Sequence, residues 1–149
     1  MSVRVSTRGL GRRSVQPAEV ARRAERMLLA LGLRDVELSV MLCGDPTIRA
    51  LNRRYRGIDR PTDVLAFAMR EGEGGDRAGG LLGDVVVSLD TARREARRKG
   101  HAIVLEVTIL LAHGLLHLLG YDHQTRAEER RMGALTDVLQ ASATPRKPG

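Results

Sequence analysis

Polar and apolar residues alternate over residues 2–8, with Val3 and Val5 on one side, and this period of two predicts a short β-strand. The period then changes. Val20, Ala24, Met27, Leu28 and Leu31 recur at helical spacing behind Gln16-Pro17, and Gly32 marks the stop. Residues 36–42 alternate again, as a second strand. Asp45-Pro46 reads as a cap followed by proline at the first helical position, with Ile48, Leu51 and Tyr55 as the apolar face of that helix. Residues 57–63 form a loop and 64–69 a third strand. Residues 71–80 hold Gly, Glu and Asp with almost nothing apolar, which predicts a flexible excursion. Val85-Val86-Val87 is a continuous apolar run, the pattern of a strand buried on both faces. Asp90 is placed to cap an Arg-rich helix over 91–99, ended by Gly100. A much more apolar helix follows from about residue 102 to Leu119. Thr125 and Glu128 form a capping-box pattern for a last helix carrying Met132, Leu135, Val138 and Leu139. Residues 142–149 read as a flexible tail. No repeat interrupts this order, so residues 1–149 read as a single α/β or α+β domain: a small sheet with helices around it.

Composition narrows the picture. Hydrophobic residues make up 42% of the 149, enough for one proper core, but aromatics are only 2%. That scarcity argues against base-stacking RNA platforms, which need exposed Phe, Tyr or Trp. The net charge is +7, carried almost wholly by arginine. Arginine matches phosphate with paired hydrogen bonds, so a polyanion partner is one reading, and compositional bias is an equal one. No helix pairs a basic face with aromatic anchors, which argues against a membrane surface. The apolar stretch 103–119 is at the short end of spanning length and carries Glu106, His113 and His117, so a buried helix fits better than a membrane span. The single cysteine, Cys43, excludes an internal disulfide and a Cys-rich zinc site, and reads as a small core residue. No secretory leader is evident, and the cytoplasm is the expected compartment.

The chemistry concentrates near the end of the apolar helix. Three of the four histidines fall in the run His113-Gly114-Leu115-Leu116-His117-Leu118-Leu119-Gly120-Tyr121-Asp122-His123. Positions 113 and 117 share one helix face, with Cβ atoms roughly 5–6 Å apart, which suits two imidazoles on one ion. Were the helix to continue, residue 123 would lie about 9 Å further along the axis on another face. Gly120 resolves this, because glycine takes the left-handed conformation that ends helices and lets the chain turn back. One histidine on an apolar helix is usually a hydrogen-bonded core residue. A third one brought in by a helix stop favours a metal, and an imidazole-only set favours one zinc ion. Three protein donors are the pattern of an open site that keeps a position for water. Gly114 stands where the common zinc-protease motif needs its glutamate base. Glu106 lies about 10 Å before His113 along the axis, and a buried salt bridge to an arginine is its expected role. Asp122 fits either a hydrogen bond to a ligand imidazole or a turn cap. His101, out of phase with the others, is expected at the surface or at a helix end.

A second constellation is Leu51-Asn52-Arg53-Arg54-Tyr55-Arg56-Gly57-Ile58-Asp59-Arg60-Pro61-Thr62-Asp63-Val64-Leu65. A guanidinium in a loop entering a strand can hold a phosphate. For Arg53, Arg54 and Arg60 a solvated helix face is the preferred reading.

Together with Leu82-Gly83-Asp84-Val85-Val86-Val87-Ser88, these two segments resemble, in order, the conserved blocks of the YbeY family of bacterial metal-dependent endoribonucleases. The resemblance runs from about residue 36 to 139. It implies a mixed four-stranded sheet flanked by about five helices, with zinc at the end of the buried helix. It implies His113, His117 and His123 as ligands, so that His113 acts through the metal, and Arg56 as the functional arginine of the cleft. It further implies zinc-dependent, single-strand-specific cleavage of RNA, in maturation of the small-subunit rRNA 3′ end and in ribosome quality control. RNA and the small ribosomal subunit would be the partners, with neither DNA nor a membrane. Ala66, Phe67 and Ala68 depart from the family's usual Ser-Phe-Pro. Two other readings stand beside the nuclease: a ribosome-assembly RNA-binding factor with structural zinc, and a metal hydrolase of another substrate such as a peptide. Gly114 counts against the peptide hydrolase, and the open donor set against structural zinc.

Overall fold

The computed structural model describes residues 2–10, 15–69 and 80–145. Four strands, β1 (Ser2–Arg8), β2 (Glu37–Cys43), β3 (Val64–Ala68) and β4 (Leu81–Ser88), form one sheet in the order β1-β2-β4-β3. β1, β2 and β4 run parallel, and β3 pairs antiparallel with β4. The sheet is therefore mixed. The parallel pairs need helical crossovers: α1 (Pro17–Ala30) joins β1 to β2, and α2 (Asp45–Arg56) lies between β2 and the edge strand β3. α3 (Leu89–Lys99), α4 (Ile103–Leu118) and α5 (Arg126–Ala143) follow β4. This α+β architecture, with four strands and five helices, is the expected one.

Alternation along the strands splits the core in two. Leu38, Val40, Leu42, Val85 and Val87 face α1 and α4, whose Met27, Leu28, Leu111 and Leu115 are fully buried. Val86 and Leu65 point the other way, with Cys43 of β2 and Ile48 of α2. The run Val85-Val86-Val87 is thus buried on both faces. Burial pushes the Cys43 thiol up to about 12, as befits an inert core residue. α4 is apolar around most of its circumference because it lies between the sheet, α1, α3 and α5. No single described helix is long and apolar enough to cross a membrane; α3 and α4 reach that length only as a pair bent by 115°.

Several local expectations change. α2 is capped by Gly44, so Asp45 sits inside its first turn. α3 starts at Leu89 with Ser88 as its cap, Ser88 Oγ accepting from Thr91 N–H at 3.3 Å, and Asp90 is likewise inside the helix. The two carboxylates instead tie the helix starts together. Asp90 accepts the Asp45 N–H at 2.8 Å, while Asp45 accepts from Ser88 Oγ and Thr91 Oγ1 at 2.7 Å and from Arg94 at 2.8 Å. The partner of buried Glu106 is a lysine, not an arginine: Lys99 Nζ lies at 3.1 Å. His101 stands at the end of α3, one of its two expected places, where its N–H closes the helix on Ala96 C=O at 3.0 Å; its Nε2 lies 2.7 Å from the same carboxylate, so it is a partly buried link between α3 and α4 rather than a surface group. The Thr125–Glu128 capping box forms in full. α5 extends to Ala143, into the expected tail, and residues 70–79 and 146–149, with most of the expected excursion, lie outside the described residues.

Candidate functional site

α4 ends as its glycine requires. Gly120 adopts φ +94°, and Tyr121 N–H donates to Leu116 C=O and Gly120 N–H to His117 C=O, each at 3.0 Å. This is the paired closure of a Schellman stop. The chain then runs without helix or strand through residues 121–125 until α5 begins, and His123 comes back towards His117. Their rings stand 5.3 Å apart at an angle of 72°. His113, His117 and His123 all line one cavity of about 490 Å³.

Burial lowers the pKa of His113, opposed by Asp63 and reinforced by His117. Burial also lowers that of His117, reinforced by His123 and by the Arg56 charge among others. Both imidazoles are therefore held towards the neutral, metal-binding form. His123 is 59% exposed, and its own backbone N–H donates to Asp122 Oδ1 at 2.7 Å. Asp122 Oδ1 is 3.5 Å from His123 Nδ1, so it acts as a turn cap rather than as an imidazole orienter. Among the described residues, no three His, Cys, Asp or Glu side chains are already closed around an ion position. The donors nevertheless fit zinc by type: two partly buried imidazoles on one helix and a third on an irregular, exposed segment.

Arg56 reaches the same cavity from the last turn of α2, which Gly57 ends at φ +70°. Asn52, buried in α2, donates from Nδ2 to Arg60 C=O at 2.9 Å and so pins the loop that leads into β3. The acidic residues nearby are engaged elsewhere. Asp59 pairs with Arg49 at 2.9 Å, and Asp63 Oδ1 accepts from Val64 N–H at 2.8 Å. Among the described residues Arg56 has no hydrogen bond or ion pair, so its guanidinium is uncommitted at the cavity wall.

Other lining groups were not legible as site residues. Asp63 belongs to the quoted motif, but only the fold sets it beside His113. Glu129 and Met132 of α5 close another side of the cavity; the capping box located the helix, yet nothing local marked position 129. Ala66, noted as a departure from the resemblance, lines the cavity too, so the wall carries a methyl there. Ala68 ends β3 opposite Gly83, and Met69 N–H still bonds Leu82 C=O at 3.0 Å, so the absent proline leaves the strand end paired.

Comparison with known proteins finds similarity over most of the chain. The family model described as Endoribonuclease YbeY matches residues 12–143. The Endoribonuclease YbeY of Anaeromyxobacter sp. (strain Fw109-5) is 52% identical over 132 residues, covering 89% of this chain and 67% of the relative. That of Aquifex aeolicus is 50% identical over 122 residues, covering 82% and 79%. The solution structure of TM1509 from Thermotoga maritima shares the fold with a TM-score of 0.59 at 24% identity, over 99% of this chain and 98% of that one.

Proposed function

Since this chain belongs to the endoribonuclease YbeY family, we propose that it cleaves RNA internally, as a zinc-dependent enzyme acting on single strands. His113, His117 and His123 would hold one zinc ion per chain, and Arg56 would bind the phosphate. The observation that carries this reading is the convergence of these four side chains on one cavity, with the arginine unpaired among the described residues. A bound zinc would supply Lewis-acid stabilisation of charge on the phosphate. The chain's own part is positional. α4 holds two donors rigidly, Gly120 returns the third, and the Asn52 clamp fixes the loop between Arg56 and β3. A guanidinium aimed at the equatorial phosphate oxygens offsets the charge that builds in the transition state. Unpaired RNA suits such a site, because its backbone and splayed bases can enter a cleft that a duplex cannot.

The biological setting proposed is the cytoplasm, on small-subunit rRNA, in maturation of its 3′ end and in ribosome quality control. The +7 charge suits an RNA partner. Purified protein should cut unstructured RNA, lose that activity on chelation and regain it with added zinc. Chelation that removes all metal and leaves cleavage unchanged contradicts the reading. Tight RNA binding with a tightly held zinc and no cleavage would favour the assembly-factor alternative.

A further inference from the structure

Tyr55 and Arg56 are adjacent in sequence but line different hollows. Arg56 reaches the histidine cavity, whereas Tyr55 lines a groove of about 310 Å³ on the opposite face of the sheet, with Phe67, Asp84 and Ser39. β3 divides in the same way, with Ala66 in the cavity and Phe67 in the groove. Because β3 is the edge strand, the two hollows are separated only by the rim of the sheet.

The groove has a flat aromatic side and an accepting side. Two of the chain's three aromatic residues are here, Tyr55 and Phe67 in edge contact at 5.2 Å, and the Arg54 guanidinium lies over Tyr55 at 5.3 Å. Tyr55 is 57% exposed, so packing does not account for its position. Ser39, Asp84 and Phe67 lie abreast on three neighbouring strands. Asp84 is exposed and, among the described residues, makes no ion pair or side-chain hydrogen bond, in a chain with 25 basic residues against 18 acidic. Arg54, over Tyr55, sets a positive charge beside the groove, where a strand's phosphate could lie, while its interior offers one acceptor beside an aromatic plane.

We propose that this groove is a subsite for one unpaired nucleobase of the strand whose phosphate lies at Arg56. The base stacks on Tyr55 and Phe67, and its exocyclic amino group donates to Asp84. The proposal rests on the reading of the cavity as an RNA site. Stacking on an aromatic side chain tolerates every base, but the carboxylate accepts only from a base edge that donates. Cytosine satisfies it with its amino group; uracil presents a carbonyl oxygen at that position.

The test is equilibrium binding of 2′-O-methyl octamers of cytosine and of uracil to wild type, Tyr55→Ala and Asp84→Ala. Both positions are exposed, so folding should be unaffected, and circular dichroism checks it. Wild type should prefer the cytosine strand about tenfold. Tyr55→Ala should weaken both strands by about 5- to 100-fold. Asp84→Ala should erase the preference, a ratio that a general change in charge leaves alone. Equal binding by wild type, a preference surviving Asp84→Ala, or unchanged affinity in Tyr55→Ala each overturns the subsite, and leaves the groove to a protein segment or a second copy. Cleavage of RNA by the same wild-type sample keeps the nuclease reading standing in those cases; absence of both binding and cleavage removes both.

Discussion

A Cβ placed on Gly114 would lie 2.6 Å from Cγ1 of Val85 and 3.1 Å from its Cγ2. The backbone of α4 therefore rests directly on a β4 side chain, and this approach sets His113 and His117 beside the β3 edge. In the sequence Gly114 counted only as a missing general base. In the fold it is a position with no room for any side chain. Gly114→Ala should cost about 1–3 kcal/mol through overpacking, read from the urea midpoint. A midpoint at the wild-type value would mean that Val85 yields freely and that the close contact does not set the helix position.

Arg56 separates chemistry from metal binding. Arg56→Ala should keep wild-type metal content and thermal stability, since the side chain has no partner among the described residues to lose. RNA cleavage should fall about 10²–10³-fold, the usual loss for one electrostatic donor. Arg56→Lys retains charge without the planar fork and should recover only part of the rate. Cleavage near wild type in the alanine variant removes Arg56 from the mechanism; unfolding or metal loss makes it structural.

RNA affinity should fall steeply with salt. For single strands the slope of log affinity against log salt is about −0.7 per phosphate neutralised. Removing Arg56 should flatten that slope by about one such increment. An affinity independent of salt would reduce the +7 charge to a matter of composition.

The Asp45 tie between helix starts has a signature at low pH. Burial pushes its carboxyl up, but hydrogen bonds from Ser88, Thr91 and Arg94 outweigh this and hold it below the usual 3.8. A carboxylate lowered in the folded state adds stability that is complete above its unfolded pKa and is lost as pH falls through the folded value. Asp45→Asn should therefore be less stable than wild type at neutral pH, with the two stability curves converging below about pH 4. Parallel curves throughout that range would show that the charge of Asp45 contributes nothing.

These contacts mark where sequence reading stops. Gly120 and the Thr125–Glu128 box announced their structures because a helix stop and a capping box are local, set by residues within one turn. The alternation in β2 and the continuous apolar run in β4 were legible for the same reason. Asp45 and Asp90 looked like independent caps, and only the packing of α2 against α3 makes them partners. Arg56 had Asp59 and Asp63 within reach in sequence. Arg49, two turns earlier on α2, takes Asp59, and the strand entry at Val64 takes an Asp63 oxygen, so tertiary competition leaves the Arg56 guanidinium without a partner among the described residues. Glu129 reaches the cavity from α5, and no spacing rule connects it with histidines on α4.

Zinc-dependent cleavage requires His113, His117 and His123 to share one ion. The most direct measurement is metal content per chain, by plasma mass spectrometry, for wild type and for the separate alanine variants at these positions. Wild type should carry close to one equivalent of zinc. Each variant should lose most of it while keeping the helical far-ultraviolet spectrum, because His123 is exposed and the α4 stop depends on Gly120 rather than on either ring. Full zinc retention in all three variants would contradict the central claim.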